Sequence, residues 1–165
     1  MTTTVTWNSP TFGTVVHESQ SNHSAPCLVV QKVRVTAAEL VALFSVGKQL
    51  IAAPGPGASI QVVEVTTRYS SDGIAFTNTG GDLYLSYGFG GTKVDNAFSI
   101  DDARAGISGT LNRTYSRKIG SGLEFVEADN INKPVYLQRY TSNLTNTGNT
   151  TSYLDVYITY YITGA

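Results

Sequence analysis

Residues 50–65, LIAAPGPGASIQVVEV, place two apolar runs on either side of Pro54-Gly55-Pro56-Gly57. Each proline fixes its own φ near the turn value and has no N–H to donate, and each glycine admits positive φ. Such a turn reverses the chain without side-chain help, so the flanking runs are expected as neighbouring strands. The stretch points to a β fold. It carries no chemistry.

Composition agrees. Charged residues make up 14% of the chain, well below the usual quarter, and hydrophobic residues 41%. Polarity comes instead from Thr, Ser, Asn and Gly, residues of strands and turns, alongside ten tyrosines. A chain of 165 residues holds one domain with a real core.

Other turn signals divide the chain into short strands. LVVQKVRV at 28–35 alternates, with Lys32 and Arg34 facing one way and Val33 and Val35 the other. Thr36 and Glu39 match a capping box, which predicts one short helix within 36–46 with Leu40, Leu43 and Phe44 on a shared face. Ser59–Tyr69 is the longest strand candidate and stops at Asp72-Gly73. DLYLSYG at 82–88 follows, closed by GFGG at 88–91. FSIDDARAGI at 98–107 allows a second helical turn, capped by Ser99 with Asp101 and Asp102 in its first turn. Residues 108–122 read as an exposed excursion, NKPVYLQRYTS at 132–142 as a strand, and NLTNTGNTT at 143–151 as a hairpin loop. The closing run SYLDVYITYYIT puts Leu154, Val156, Ile158 and Tyr160 on one face and Tyr153, Asp155, Tyr157, Thr159 and Tyr161 on the other. The expected fold is all-β: an antiparallel, jelly-roll-like β-sandwich of about eight strands with one or two short helical turns.

Residues 1–26 form a separate N-terminal arm in this reading, and 27–165 a single sandwich domain. The arm is too polar to bury enough surface to fold by itself. It pairs with the body's edge or a neighbouring subunit, or else is a loosely held terminus.

Catalytic and metal chemistry find little support. His17, His23 and Cys27 are the only residues of their types, and they lack the spacing of a zinc site. Gly120-Ser121-Gly122 lacks the frame of a nucleophile elbow. The carboxylate pairs Asp101 with Asp102 and Glu124 with Glu127 are close in sequence, which does not place them across a cleft. GFGGT at 88–92 has no P-loop lysine. No catalytic residue, metal or cofactor is therefore expected. A net charge of -1 argues against a nucleic-acid partner, and no apolar run approaches the roughly 20 residues of a membrane span. MTTTVTWNSP lacks the features of a signal peptide, so the chain reads as soluble and made in a cytosol. Sequons begin at Asn22, Asn112, Asn143 and Asn149, as chance provides in a chain rich in Asn and Thr.

Tyrosine is the suggestive excess. Tyr136, Tyr140, Tyr153, Tyr157, Tyr160 and Tyr161 crowd the last thirty residues. Aromatics with few charges mark interface cores, although tyrosine also has high β propensity. Arg113, Arg117 and Lys118, interleaved with Tyr115, form a basic cluster that suits an acidic partner surface or a solvated loop. The candidate partner interface comprises Val5, Trp7, Phe12, Tyr115, Tyr153, Tyr157 and Tyr161.

Four segments in order, LIAAPGPGASIQVVEV, GGDLYLSYG, INKPVYL and LDVYITYYI, resemble a β-sandwich family of tailed-bacteriophage structural proteins over residues 45–165. The resemblance implies a virion component, most like a capsid decoration (cement) protein that binds the outside of a phage head. Its partner would be the major capsid protein, its state a homo-oligomer (trimer or dimer), and its location the virion after synthesis in the host cytoplasm. The alternative within the resemblance is a tail-fibre or baseplate module that binds host glycan through loops 108–122 or 143–151. The family carries no catalytic residues to transfer.

Overall fold

The computed structural model describes residues 27–77, 82–94, 100–101, 107, 109–119, 130–146 and 148–164. The arm at 1–26 lies outside them. Eight strands and one helix follow in order: β1 (Val29–Thr36), α1 (Ala37–Val41), β2 (Lys48–Ile51), β3 (Ala58–Ser70), β4 (Asp82–Tyr87), β5 (Ile100–Asp101), β6 (Arg113–Lys118), β7 (Val135–Arg139) and β8 (Tyr153–Gly164).

They form two four-stranded sheets, ordered β1-β8-β3-β6 and β2-β7-β4-β5. The antiparallel pairs β1·β8, β2·β7, β3·β6 and β4·β5 nest inside one another, as in a single long ribbon folded back at β4–β5. Contacts of β8 with β3 and of β7 with β4 roll that ribbon into two layers. This is the jelly roll expected from the sequence.

The inner faces follow from alternation. Val35, Ile60, Val65, Tyr69, Leu83, Leu85, Leu137, Leu154, Val156 and Ile158 are at most 1% exposed and fill the space between the layers. Two polar links cross that space. Tyr87 donates its phenolic hydrogen to the Ile60 carbonyl at 2.6 Å, and Gln31 donates to the Leu50 carbonyl at 2.9 Å. Burial, with a smaller contribution from Tyr161, pushes the Tyr87 phenol up to about 12, so it remains a donor at any ordinary pH. Thr67 Oγ1 is buried with no hydrogen-bond partner among the described residues.

The Pro-Gly turn departs from expectation. β2 and β3 lie in different sheets, so residues 52–57 carry the chain between layers and close no hairpin. Pro54 and Pro56 cannot donate to a ladder, and both edges of β3 are already taken, by β8 and β6. The turn is held from outside. Gly55 N–H donates to Asn132 Oδ1 at 3.1 Å, and Asn132 N–H to the Ala58 carbonyl at 2.8 Å. Asn132 adopts φ 51°, a left-handed conformation that Asn tolerates better than most residues.

Other expectations also change. The Thr36–Glu39 capping box forms, and Leu40 and Leu43 are buried, but Phe44 is 45% exposed. The chain has left the helix at Val41, so the helical spacing no longer governs Phe44. Ile100–Asp101 is a strand paired with Leu83 and Asp82 where a helical turn was expected, because a local cap is worth less than covering the edge of β4. Ser99 and Asp102 lie outside the described residues. The supposed excursion at 108–122 contains β6, which completes the first sheet beside β3. Loop 143–151 joins strands of different sheets and so is no hairpin.

Two substitutions test these packing statements by urea denaturation. Thr67→Val removes the unpaired hydroxyl at similar shape and should raise stability by about 1 kcal/mol. Asn132→Ala loses both the side-chain acceptor and the tolerance of positive φ and should lower it by about 1–2 kcal/mol, with Asn132→Gly losing less.

Candidate docking face

Strict alternation in β8 aims Tyr153, Asp155, Tyr157 and Tyr161 away from the core, onto the outer side of the first sheet. The register then chooses their neighbours. Asp155 stands between Arg34 of β1 and Arg68 of β3, Tyr157 between Lys32 and Thr66, and Tyr153 between Thr36 and Ser70.

Asp155 is 4% exposed although it faces outward, because its neighbours cover it. Arg34 grips it in bidentate fashion, Nε to Oδ1 at 2.8 Å and Nη2 to Oδ2 at 3.0 Å. Lys32 Nζ lies 2.8 Å from Oδ2. The same two cations cover tyrosine rings: the Arg34 guanidinium carbon is 3.8 Å from the Tyr153 centroid and Lys32 Nζ 5.4 Å from that of Tyr157. Cations, carboxylate and rings thus form one mutually contacting layer. Burial alone would raise the Asp155 carboxyl, but the hydrogen bonds from Arg34 and Lys32 outweigh it and hold the group below its ordinary value.

Three of the seven interface residues expected from the sequence therefore share this face: Tyr153, Tyr157 and Tyr161. Tyr115 sits on the core-facing side of β6, half-buried and packed against the core. Val5, Trp7 and Phe12 lie outside the described residues. The basic cluster is divided by the strand: Arg113 and Arg117 share the side of Tyr115, while Lys118 faces outward opposite Glu64.

The second sheet carries an aromatic face that the sequence reading missed. Tyr84 and Tyr140 meet edge-to-face at 6.1 Å, with Lys93 Nζ 4.4 Å from the Tyr140 centroid. Phe89 meets Tyr136 at 6.3 Å. The GFGGT loop brings Phe89 there by folding over the sheet, where it buries Ser86 and Gln138 as Gly90 N–H donates to Gln138 Oε1 at 3.0 Å. Gly91 is required, since a Cβ there would sit 1.9 Å from the Tyr87 carbonyl oxygen. The outward parity of Tyr84 and Tyr136 was the available signal; the fold-over of residues 88–94 was not legible.

The remaining candidates find structural places or lie beyond description. Cys27 is half-exposed, its Sγ 3.9 Å from the Leu28 carbonyl oxygen. His17, His23, Asp102, Gly120-Ser121-Gly122, Glu124 and Glu127 lie outside the described residues, and among the described ones no three of His, Cys, Asp and Glu converge. Asp72 ties two crossovers together, accepting from the N–H groups of Ile74, Thr150 and Thr151 at 3.1, 3.1 and 3.2 Å. Desolvation would raise its carboxyl, yet these bonds hold it at about 2. Asn149 is fully buried and donates to the Ile74 carbonyl at 2.6 Å, which closes that sequon to glycosylation. No helix of the described residues is long and apolar enough to cross a membrane.

No family model matches the chain, and no curated protein does. Among solved structures it is similar to the cryo-EM structure of a semi-empty virus-like particle of the nodavirus of the giant freshwater prawn Macrobrachium rosenbergii. The identity is 13% and the TM-score 0.32, over 89% of this chain and 98% of that one. The fold assignment rests on the strand order.

Asp72 and Asp155 both have folded-state values below their unfolded ones. Their contribution is complete above the unfolded value of about 4 and is lost as pH falls through the folded value. Asp72→Asn should flatten the decline in stability between about pH 4 and pH 2, followed by circular dichroism in urea at each pH.

Proposed function

We propose that the chain is a structural component of a virus particle, a decoration (cement) protein that binds the outside of a tailed-phage head and stabilises it. The observation that carries this reading is the outer face of β1-β8-β3-β6. Its tyrosines are half-buried, its carboxylate is neutralised in place, and its long side chains are already ordered against rings. Such a face loses little side-chain entropy on docking, and tyrosine and arginine are enriched at protein interfaces. The ordered sequence landmarks shared with phage structural proteins, on a jelly-roll frame, supply the particle context. In this reading function is packing. The cement role needs affinity for the assembled shell above that for free subunits, which shifts stability toward assembly by mass action. The major capsid protein is the partner, a dimer or trimer the assembly unit, and residues 1–26 an arm to a neighbour.

A glycan-binding tail module is the second reading, and its location has moved. Loop 143–151 is occupied as a clasp by Asn149 and its neighbours, and 113–118 is a strand. What favours glycan now is the Tyr140 ring, 60% exposed beside Lys93.

Two measurements separate these readings. Mass spectrometry of purified particles should find the chain in tens to hundreds of copies, of the order of capsomer counts under closed symmetry; a handful of copies would place it in the tail. The double substitution Tyr153→Ala with Tyr157→Ala should leave the fold intact by circular dichroism and reduce incorporation about tenfold or more. Undiminished incorporation would remove this face from the reading.

A further inference from the structure

The first sheet is also electrically distinct. Its four strands hold six of the chain's eleven Lys and Arg residues and two of its twelve Asp and Glu residues, net +4 in a chain of net -1. On the outer side the register places Lys32, Arg34, Arg68 and Lys118 with Asp155 and Glu64, a net +2. Both anions are engaged within the face. Asp155 is held by Lys32 and Arg34, and Glu64 accepts from the Ser116 hydroxyl at 2.8 Å. Arg68 is exposed beside Asp155, and the ion pairs among the described residues do not include it.

We infer that this face docks on an acidic protein surface, with Arg68 the cation that receives the partner's carboxylate. The inference rests on the reading of this face as the docking surface and adds the partner's chemistry. Arg68 suits the task, because its planar fork accepts a carboxylate in two parallel hydrogen bonds. Lys32 and Arg34 already have their counter-ion and can enter an interface without seeking another. Of the net +2, one charge is left where Lys32 and Arg34 share Asp155 and the other is Arg68; Lys118 of β6 lies farther along the face, opposite Glu64. A polyanionic strand is a poorer occupant. Backbone binding draws its strength from many neutralised phosphates, and this face has an excess of only two cations. Tyrosines flanking arginine on a flat sheet match a protein surface instead.

The test uses the full chain and a fluorescent ten-residue oligoglutamate, with oligolysine and oligothymidylate as comparators. Oligoglutamate should bind, weaken as salt passes physiological ionic strength, and lose affinity about tenfold in Arg68→Glu combined with Lys118→Glu. Arg113→Glu, on the other side of β6, should leave affinity unchanged. If the double reversal unfolds the sheet, Arg68→Gln alone should still weaken binding about threefold. Equal binding of oligolysine, tighter binding of oligothymidylate, or indifference to every substitution at Arg68 would overturn the inference. An equal loss in Arg113→Glu would do the same. The two readings fail separately. Oligoglutamate binding through Arg68 by a chain absent from purified particles would sink the virion role alone. A chain present in particles but indifferent to oligoglutamate would sink the acidic partner alone.

Discussion

Strand β8 has hydrogen-bonded neighbours on both edges, and the first sheet exists only because it sits between β1 and β3. Its inward residues Leu154, Val156 and Ile158 are fully buried, and its outward residues build the candidate docking face. Both roles follow from one alternation of period two, so a one-residue slip would bury Asp155 and Tyr157 and expose the core. The register is pinned from both faces at once. Apolar packing holds it from within, and the grip of Arg34 and Lys32 on Asp155 holds it from outside.

That arrangement has a kinetic consequence. Arg34 and Asp155 are 121 residues apart in sequence, and every residue of β1 awaits a partner at the far end of the chain. Non-local pairing of this kind slows folding, because loop-closure entropy is lost before contacts form. The nested order eases the problem. Among the described residues β4 and β5 are the only consecutive strands that pair within one sheet, and each successive pair outward then has its ends brought together.

The sequence made the strands legible and hid their partnerships. Alternation marked β1, β4 and β8 because each has an apolar face in the core. Thr36 and Glu39 marked α1 through a hydrogen-bond exchange local to four residues. The Pro-Gly turn announced a reversal but not its destination, since the same four residues can close a hairpin or carry the chain between layers. What decides between them is β3, whose two edges are both taken, by β8 and β6. β6 was missed because RTYSRK, at a sheet edge, buries little and so shows no apolar period. The tyrosine side of β8 was readable from parity alone. Its electrostatics were not, because Lys32, Arg34, Arg68 and Asp155 come from three strands that only the register brings together.

Asp155 explains why so many cations can crowd one small face. Without it, Lys32, Arg34 and Arg68 would repel one another across adjacent strands, and a flat array of long cationic side chains would stay mobile and hydrated. With it, two of the three are fixed by one shared counter-charge, the Arg34 guanidinium over Tyr153 and the Lys32 ammonium over Tyr157. The third, Arg68, remains exposed beside a carboxylate whose oxygens are already engaged. A buried anion on an outward face thus does two things: it orders the long side chains around it and leaves one arginine exposed, outside the ion pairs of the described residues.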